Sequence, residues 1–304
     1  MPKENKQMKN NTKAIAVYLD DYDKIEQELT WLYKTWLLHS LEEEYDLVVY
    51  YNPTAEERIK NFPGVIPIKM PYTRMAEQYK FLNSHYFCLK EYNEPLQKYD
   101  FLLKTDCDVF LTHNLKNYTP SKFMVGEGGY YDQKDDIKIS FIKKVSKELN
   151  LQHNNMPNVG ASFFSKTQYV LNVVSLQSEI TEFLLNKYFK ENNIDKESGF
   201  HSGVVSMIAG EIAINHCFNN QHVNLYSLDN KCWETSLIGS NVLHIHAWHS
   251  DIPWSKHAYF KQTYKDWAVS FDEAFLNAAS YCQWIATASM ETIYKYKKIF
   301  QLVK

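Results

Sequence analysis

The chain has 304 residues, 45% hydrophobic and 15% aromatic, the composition of a folded protein and not of a disordered one. Its 33 Lys+Arg against 36 Asp+Glu leave a formal charge of −3, so the overall balance gives no reason to coat nucleic acid or an anionic membrane. The length can support one large α/β domain with a substantial core.

Residues 1–12 read as a flexible polar arm without the apolar stretch of a signal peptide. From Lys13, KAIAVYLDDYD reads as a buried strand that ends in a carboxylate-rich loop, and a helix follows over residues 24–39. Residues 45–52 form a second predicted strand and 64–70 a third, whose proline points to an edge or a strand end. Met75, Tyr79, Leu82, Tyr86 and Leu89 recur every three or four residues, which predicts one helix over 73–92. YDFLLKTDCDVFLT, residues 99–112, is the next apolar strand. Strands alternating with helices imply right-handed β-α-β units and a mostly parallel sheet, whose ligands bind beyond the carboxyl ends of the strands.

The glycine-rich devices of such sheets are missing. No G-x-G-x-x-G follows the first strand and no G-x-x-x-x-G-K-[ST] occurs, which removes the main support for hydride-transfer and P-loop chemistry; GEGG at 126–129 reads as a turn after a strand. Farther on, residues 132–155 predict a lysine-dotted helix with flexible flanks, 158–165 a strand, 168–190 a helix, and 198–216 a loop running into a helix. Residues 241–249, NVLHIHAWH, predict a strand with alternating histidines, and 261–304 a helical, aromatic extension. The five cysteines are scattered, with no C-x-x-C pair, which argues against a disulfide framework or a thiolate zinc site and for a reducing, cytoplasmic setting. No run approaches the ~18 apolar residues of a membrane span.

The richest stretch for chemistry is the D-x-D at Asp106 and Asp108. Period-two alternation sends both side chains to one side, and two carboxylates that close repel unless a cation lies between them. Hard divalent ions such as Mg²⁺ or Mn²⁺ take such ligands and leave room for substrate phosphates. A second D-x-D, Asp21 and Asp23, shows how common the pattern is, but only the first breaks an apolar strand, where unpartnered charge is costly. In the distant histidine strand, alternation puts His244 and His246 on one face; each is read either as a hydrogen-bonded core residue or as a ligand, and an imidazole beside two carboxylates favours Mn²⁺.

Residues 104–110, KTDCDVF, resemble the D-x-D segment of nucleotide-sugar glycosyltransferases of the GT-A fold, including their galactosyltransferase branches. In that family the pair binds Mn²⁺, which holds the donor diphosphate. HAWHSDIPW, with Pro253 and Trp254 seven and eight residues after His246, is similar to the H-x-x-G-x-x-K-P-W segment of glycogenin-like and lipopolysaccharide-type transferases, whose histidine is the third metal ligand. His249 stands where glycine is usual and is the alternative ligand; Ile252 stands where the phosphate-binding lysine is usual, and Lys256 is the replacement. The composition also resembles viral and phage members.

The resemblance implies a Rossmann-like GT-A single domain with a mixed, mostly parallel sheet and a C-terminal helical extension. Residues 13–125 would bind the nucleotide sugar and 126–260 the acceptor. It places Asp106, Asp108 and His246 on Mn²⁺ (or Mg²⁺), and Tyr18, Asp20, Arg74, Lys104 and Lys256 on the donor. Asn158 and Gly160 fall on the acceptor side, and Glu197 and His201 are the acid–base candidates, for an inverting or a retaining reaction. The donor is a nucleoside-diphosphate sugar, UDP being commonest. The acceptor hydroxyl belongs to a surface glycan, a protein or a hydroxymethylated DNA base; for DNA, Lys138, Lys143, Lys144, Lys147 and the basic tail are the local positive patches. A metal-dependent phosphohydrolase or nuclease, and a non-catalytic sugar-nucleotide-binding module, are the competing readings.

Overall fold

The computed structural model describes residues 11–190, 195, 197–233, 237, 240–247 and 253–302, and only the backbone of 74, 78, 80 and 300–302. In chain order the strands are β1 (Lys13–Leu19), β2 (Tyr45–Tyr51), β3 (Ile66–Lys69), β4 (Phe101–Lys104), β5 (Val109–Leu111), β6 (Phe123–Glu127), β7 (Val159–Lys166), β8 (Val223–Leu228), β9 (Asn230–Lys231) and β10 (His244–His246). The helices are α1 (Ile25–Leu38), α2 (Glu56–Ile59), α3 (Arg74–Gln78), α4 (Asn83–Tyr86), α5 (Asp136–Glu148), α6 (Thr167–Lys187), α7 (Val205–Cys217), α8 (Lys256–Phe260), α9 (Phe271–Ala274), α10 (Ala278–Thr287) and α11 (Met290–Leu302).

Seven strands make one sheet in the order β3-β2-β1-β4-β7-β6-β8. β1 runs parallel to β2 and β4, β2 to β3, and β6 to β8; β7 alone runs the other way, antiparallel to both β4 and β6. The sheet is therefore mixed and mostly parallel, a Rossmann-like α/β fold, and helices make up the C-terminal part of the described chain. β3 carries Pro67 on an edge, where a missing N–H costs no ladder bond. β1 is central and covered on both faces, which is why Ala14 to Leu19 is an unbroken apolar run.

One face of the sheet packs on α1 and the C-terminal helices, with Leu29, Leu32, Trp36, Tyr281 and Ile285 in that core. The other packs on α6 and α7 through Val170, Val174, Ile208 and Ile212. The C-terminal helices are tied in by polar bonds as well: Lys34 Nζ donates to Ile285 O (2.9 Å), and His39 Nε2 meets Tyr281 OH at 2.7 Å. No helix among the described residues is long and apolar enough to cross a membrane.

Two elements differ from the sequence expectation. The helix predicted over 73–92 is broken into α3, a 3-10 turn and α4, because Tyr79 (φ −138°, ψ 88°) leaves the helical region. Its ring is buried and its hydroxyl reaches Gly203 O at 3.4 Å, so tertiary packing overrides local periodicity there. The apolar stretch 99–112 is likewise two strands. β4 ends at Lys104, and β5 belongs to a second sheet of order β5-β10-β9, so the D-x-D occupies the crossing between sheets.

Candidate metal centre

The direction of the strands gathers the polar residues at one edge. The carboxyl ends of β1, β4, β6 and β8 and the start of β7 all fall there, which places Asp20, Asp106, Asp108, Glu127, Asn158, Gly160 and Asp229 on the same rim. The small sheet then brings in the distant histidine. β10 is its middle strand, pairing His246 with Val109 on β5 and with Lys231 on β9, and the Ala247 N–H donates to Asp108 O (2.9 Å). His246 is thereby set between the carboxylates that precede those two strands, Asp108 and Asp229.

Ligand atoms of Asp106, Asp108 and His246 lie within 4.8 Å of one another. His246 Nε2 is 3.2 Å from Asp108 Oδ1, while its Nδ1 is 3.5 Å from Asp229 Oδ1. Cys107 points the opposite way, its thiol donating to Tyr18 O (3.2 Å), so the alternation expected of the D-x-D holds although the segment is not a strand. Asp106 keeps 31% of its side chain exposed, which leaves an opening at the group. Two carboxylate oxygens and one imidazole nitrogen, with an open side for substrate or water, fit a single Mn²⁺ or Mg²⁺ ion, and the nitrogen favours the transition metal.

The charges around this group are balanced by cations. Lys256, the first residue of α8, donates to Asp108 Oδ2 at 2.5 Å and lies 3.5 Å from Glu28 Oε1. Burial alone would raise the Asp108 carboxyl, but Lys256 and His246 hold it well below the usual carboxylate range. Loss of hydration works against charge on His246, and Asp108 and Asp229 overcome it, keeping the ring well above its ordinary value. Burial, then the charge of Asp108, pushes Glu28 up to about 7; Tyr22 OH donates to its Oε2 (2.7 Å). His244, fully buried on the same face of β10, is pushed down to about 4 by burial and is a hydrogen-bonded core residue.

The other expected site residues take varied places. Lys104 is fully buried, donates to Ala161 O (3.0 Å) and lies 3.7 Å from Asp106, so it sits beneath the site with no surface for a donor, unlike the expectation. Tyr18 is also a core residue here: its hydroxyl accepts from Asn83 (2.8 Å) and faces Met70 O (3.4 Å). Asp20 lies at the rim in hydrogen-bond contact with Tyr72, whose ring is exposed. Asn158 (φ 56°) is locked by Tyr130 N and Tyr131 O, and Gly160 packs against Glu127 O and Asp229. Glu197 is exposed, paired with Lys144 (2.7 Å) beside a separate pocket of about 530 Å³; no contact among the described residues joins it to the acidic pair. His201 is exposed, its Nδ1 accepting from Gly203 N (3.0 Å). Arg74 opens α3, and its side chain, like His249 and Ile252, lies outside the described residues.

Two residues at the centre escaped the sequence reading. Glu28 shares the apolar face of α1 with Ile25, Leu29 and Leu32, and a charge on such a face is a signal in itself. Asp229 follows the β8 strand as Asp106 follows β4, and the same argument about strand ends applies to it.

The model of the family described as "Domain of unknown function (DUF7164)" matches residues 51–299. The chain belongs to that family. No curated protein matches it. Among solved structures it is similar to the glycosyltransferase GlyE of Streptococcus pneumoniae TIGR4, at 10% identity and a TM-score of 0.49, over 97% of this chain and 64% of that one. The chain thus spans a little under two thirds of the length of that protein.

Proposed function

We propose that the protein is a metal-dependent glycosyltransferase that moves a sugar from a nucleoside-diphosphate sugar, a UDP-sugar first among them, to a hydroxyl acceptor. The observation that carries this reading is the convergence of Asp106, Asp108 and His246 within 4.8 Å at the carboxyl edge of the sheet. Those three residues would hold Mn²⁺ or Mg²⁺, which when bound supplies Lewis-acid stabilisation of the leaving diphosphate. A single group of three donors among the described residues suits one ion, whereas two-metal hydrolases need more ligands on a second point, and this favours transfer over hydrolysis.

In this reading residues 13–125 hold the donor, with Asp20 after β1 and Tyr72 after β3 offering hydrogen bonds to the nucleotide and Arg74 close by in sequence. Lys256, already an ammonium on Asp108, is the cation placed to meet phosphate oxygens. Residues 126–260 shape the acceptor side, with Asn158 and Gly160 at the start of β7 on the same rim as the acidic pair. Of the two acid–base candidates His201 is preferred, because Glu197 is engaged in an ion pair with Lys144. Within the C-terminal extension, α10 and α11 pack against α1.

The test is a screen of UDP-, GDP- and ADP-sugars for Mn²⁺-dependent thermal stabilisation. Asp106→Asn and Asp108→Asn should lose the metal-dependent part, and transfer should fall about 10²–10³-fold, while the unliganded fold stays intact. Metal-dependent stabilisation that survives in both variants would refute the assignment.

A further inference from the structure

We infer that Asp229 is the positioning residue of the metal centre: it holds the Nδ1 side of His246 so that Nε2 faces the Asp106–Asp108 pair. The inference deepens the metal-dependent reading above and rests on it. Its ground is the way the chain builds a socket around one carboxylate.

Asp229 is buried and has φ 55°, a left-handed conformation that Asp tolerates better than most residues, at the single-residue turn between β8 and β9. Ser162 gripped it twice, its N–H donating to Oδ2 (3.0 Å) and its hydroxyl to Oδ1 (2.6 Å). Two glycines make the room. A Cβ on Gly126 would stand 1.7 Å from Oδ2, and one on Gly160 would stand 2.8 Å from it. No side chain fits at either place while the carboxylate stays, so the strand ends of β6 and β7 are shaped to this group.

The hydrogens in the surrounding network have one consistent arrangement. The Asp229 N–H donates to His244 Nδ1 (3.0 Å), so that nitrogen is an acceptor and His244 carries its proton on Nε2. Nε2 then donates to Thr105 Oγ1 (2.7 Å), Thr105 to Ser162 Oγ (2.8 Å), and Ser162 to Asp229. The circuit starts and ends on residue 229 and passes through the residue just before Asp106. His244 is therefore fixed as an acceptor toward the Asp229 N–H, and His246 Nδ1 lies 3.5 Å from the carboxylate Oδ1, where an Nδ1–H faces it. With Nδ1–H turned to Asp229, the other ring nitrogen presents its lone pair to the ion. A carboxylate behind a ligating imidazole sets its tautomer and orientation in this way.

The experiment measures Mn²⁺ binding to the full chain by titration calorimetry, and reads the histidine nitrogens by ¹⁵N NMR with Cd²⁺ as a diamagnetic probe. In the wild-type chain His246 should show a protonated Nδ1 and a cadmium-coordinated Nε2. Asp229→Asn should weaken Mn²⁺ binding about 10–100-fold. Coordination through Nδ1, or a folded Asp229→Asn chain with unchanged Mn²⁺ affinity, would overturn the inference alone. A wild-type chain that binds neither ion would remove the metal-dependent reading with it. If Asp229→Asn does not fold, the wild-type nitrogen spectrum still decides.

Discussion

Glu211 and Asp108 are both carboxylates withdrawn from water, and their surroundings are opposite. Glu211, on α7, is 1% exposed and is hydrogen-bonded by hydroxyl and amide donors, Tyr130 OH at 2.5 Å, Tyr131 OH at 3.0 and 3.1 Å and the Asn158 N–H at 2.5 Å, with His153 Nε2 farther off at 3.6 Å. Asp108 is answered by Lys256 and His246, and its neighbour Asp106 opens to solvent. A closed shell of hydroxyls and amides fixes a backbone, here the left-handed turn at Asn158. A shell of cationic side chains beside an opening can give way to another cation. Burial alone does not separate a structural acid from a reactive one; the kind of partner does.

The contrast can be broken in three ways. The largest effect is expected from Glu211→Gln, which puts an N–H₂ against three donors: unfolding free energy in urea should fall by about 3 kcal/mol with Mn²⁺ affinity unchanged. Altered metal affinity at equal stability would merge the two sites and undo the distinction.

The next effect comes from acid. His39 is buried beside Tyr281, and burial pushes it down to about 3, below the ordinary 6.5 of the unfolded chain. Its contribution is present above pH 6.5 and is lost as pH falls toward 3, at up to about 1.4 kcal/mol per pH unit. His39→Gln should therefore lose less stability than the wild type between pH 6.5 and 4.5, measured as urea midpoints. Parallel losses in both chains would assign the acid sensitivity to other groups.

Glu28→Gln is the smallest and the sharpest. The folded value of about 7 lies above the unfolded 4.5, so the wild-type side chain is most favourable below pH 4.5 and loses that advantage as pH rises through 7. At pH 8 the amide variant should gain about 1 kcal/mol over the wild type, with the gain vanishing near pH 5. A loss at pH 8 would mean that the ionised Glu28 is worth more to Lys256 than it costs to bury.

Much of the frame could be read from residue order alone. β1, α1, β2 and β7 were fixed by unbroken or periodic apolar runs, and each falls within a few residues of its expected limits. The D-x-D stood out because charge interrupts apolar sequence, and His246 because of strand alternation and its spacing to Pro253 and Trp254. What stayed hidden depends on distant partners. Tyr79 leaves its helix to pack near Gly203, β9 is two residues long and exists only as the neighbour of β10, and Asp229 matters because glycines from two other strands make space for it. No local pattern carries those facts.

The crossing between sheets has one more consequence. Lys256 meets Asp108 across 148 positions of sequence, and His244 meets Thr105 across 139. Contacts closed over such spans form late and slowly. The first four parallel strands can be assembled while β10 is still outside, leaving a well-made platform with two repelling acids and nothing to grip an ion. On the metal-binding reading proposed above, cation affinity then gauges whether the last strand has slid home in each molecule.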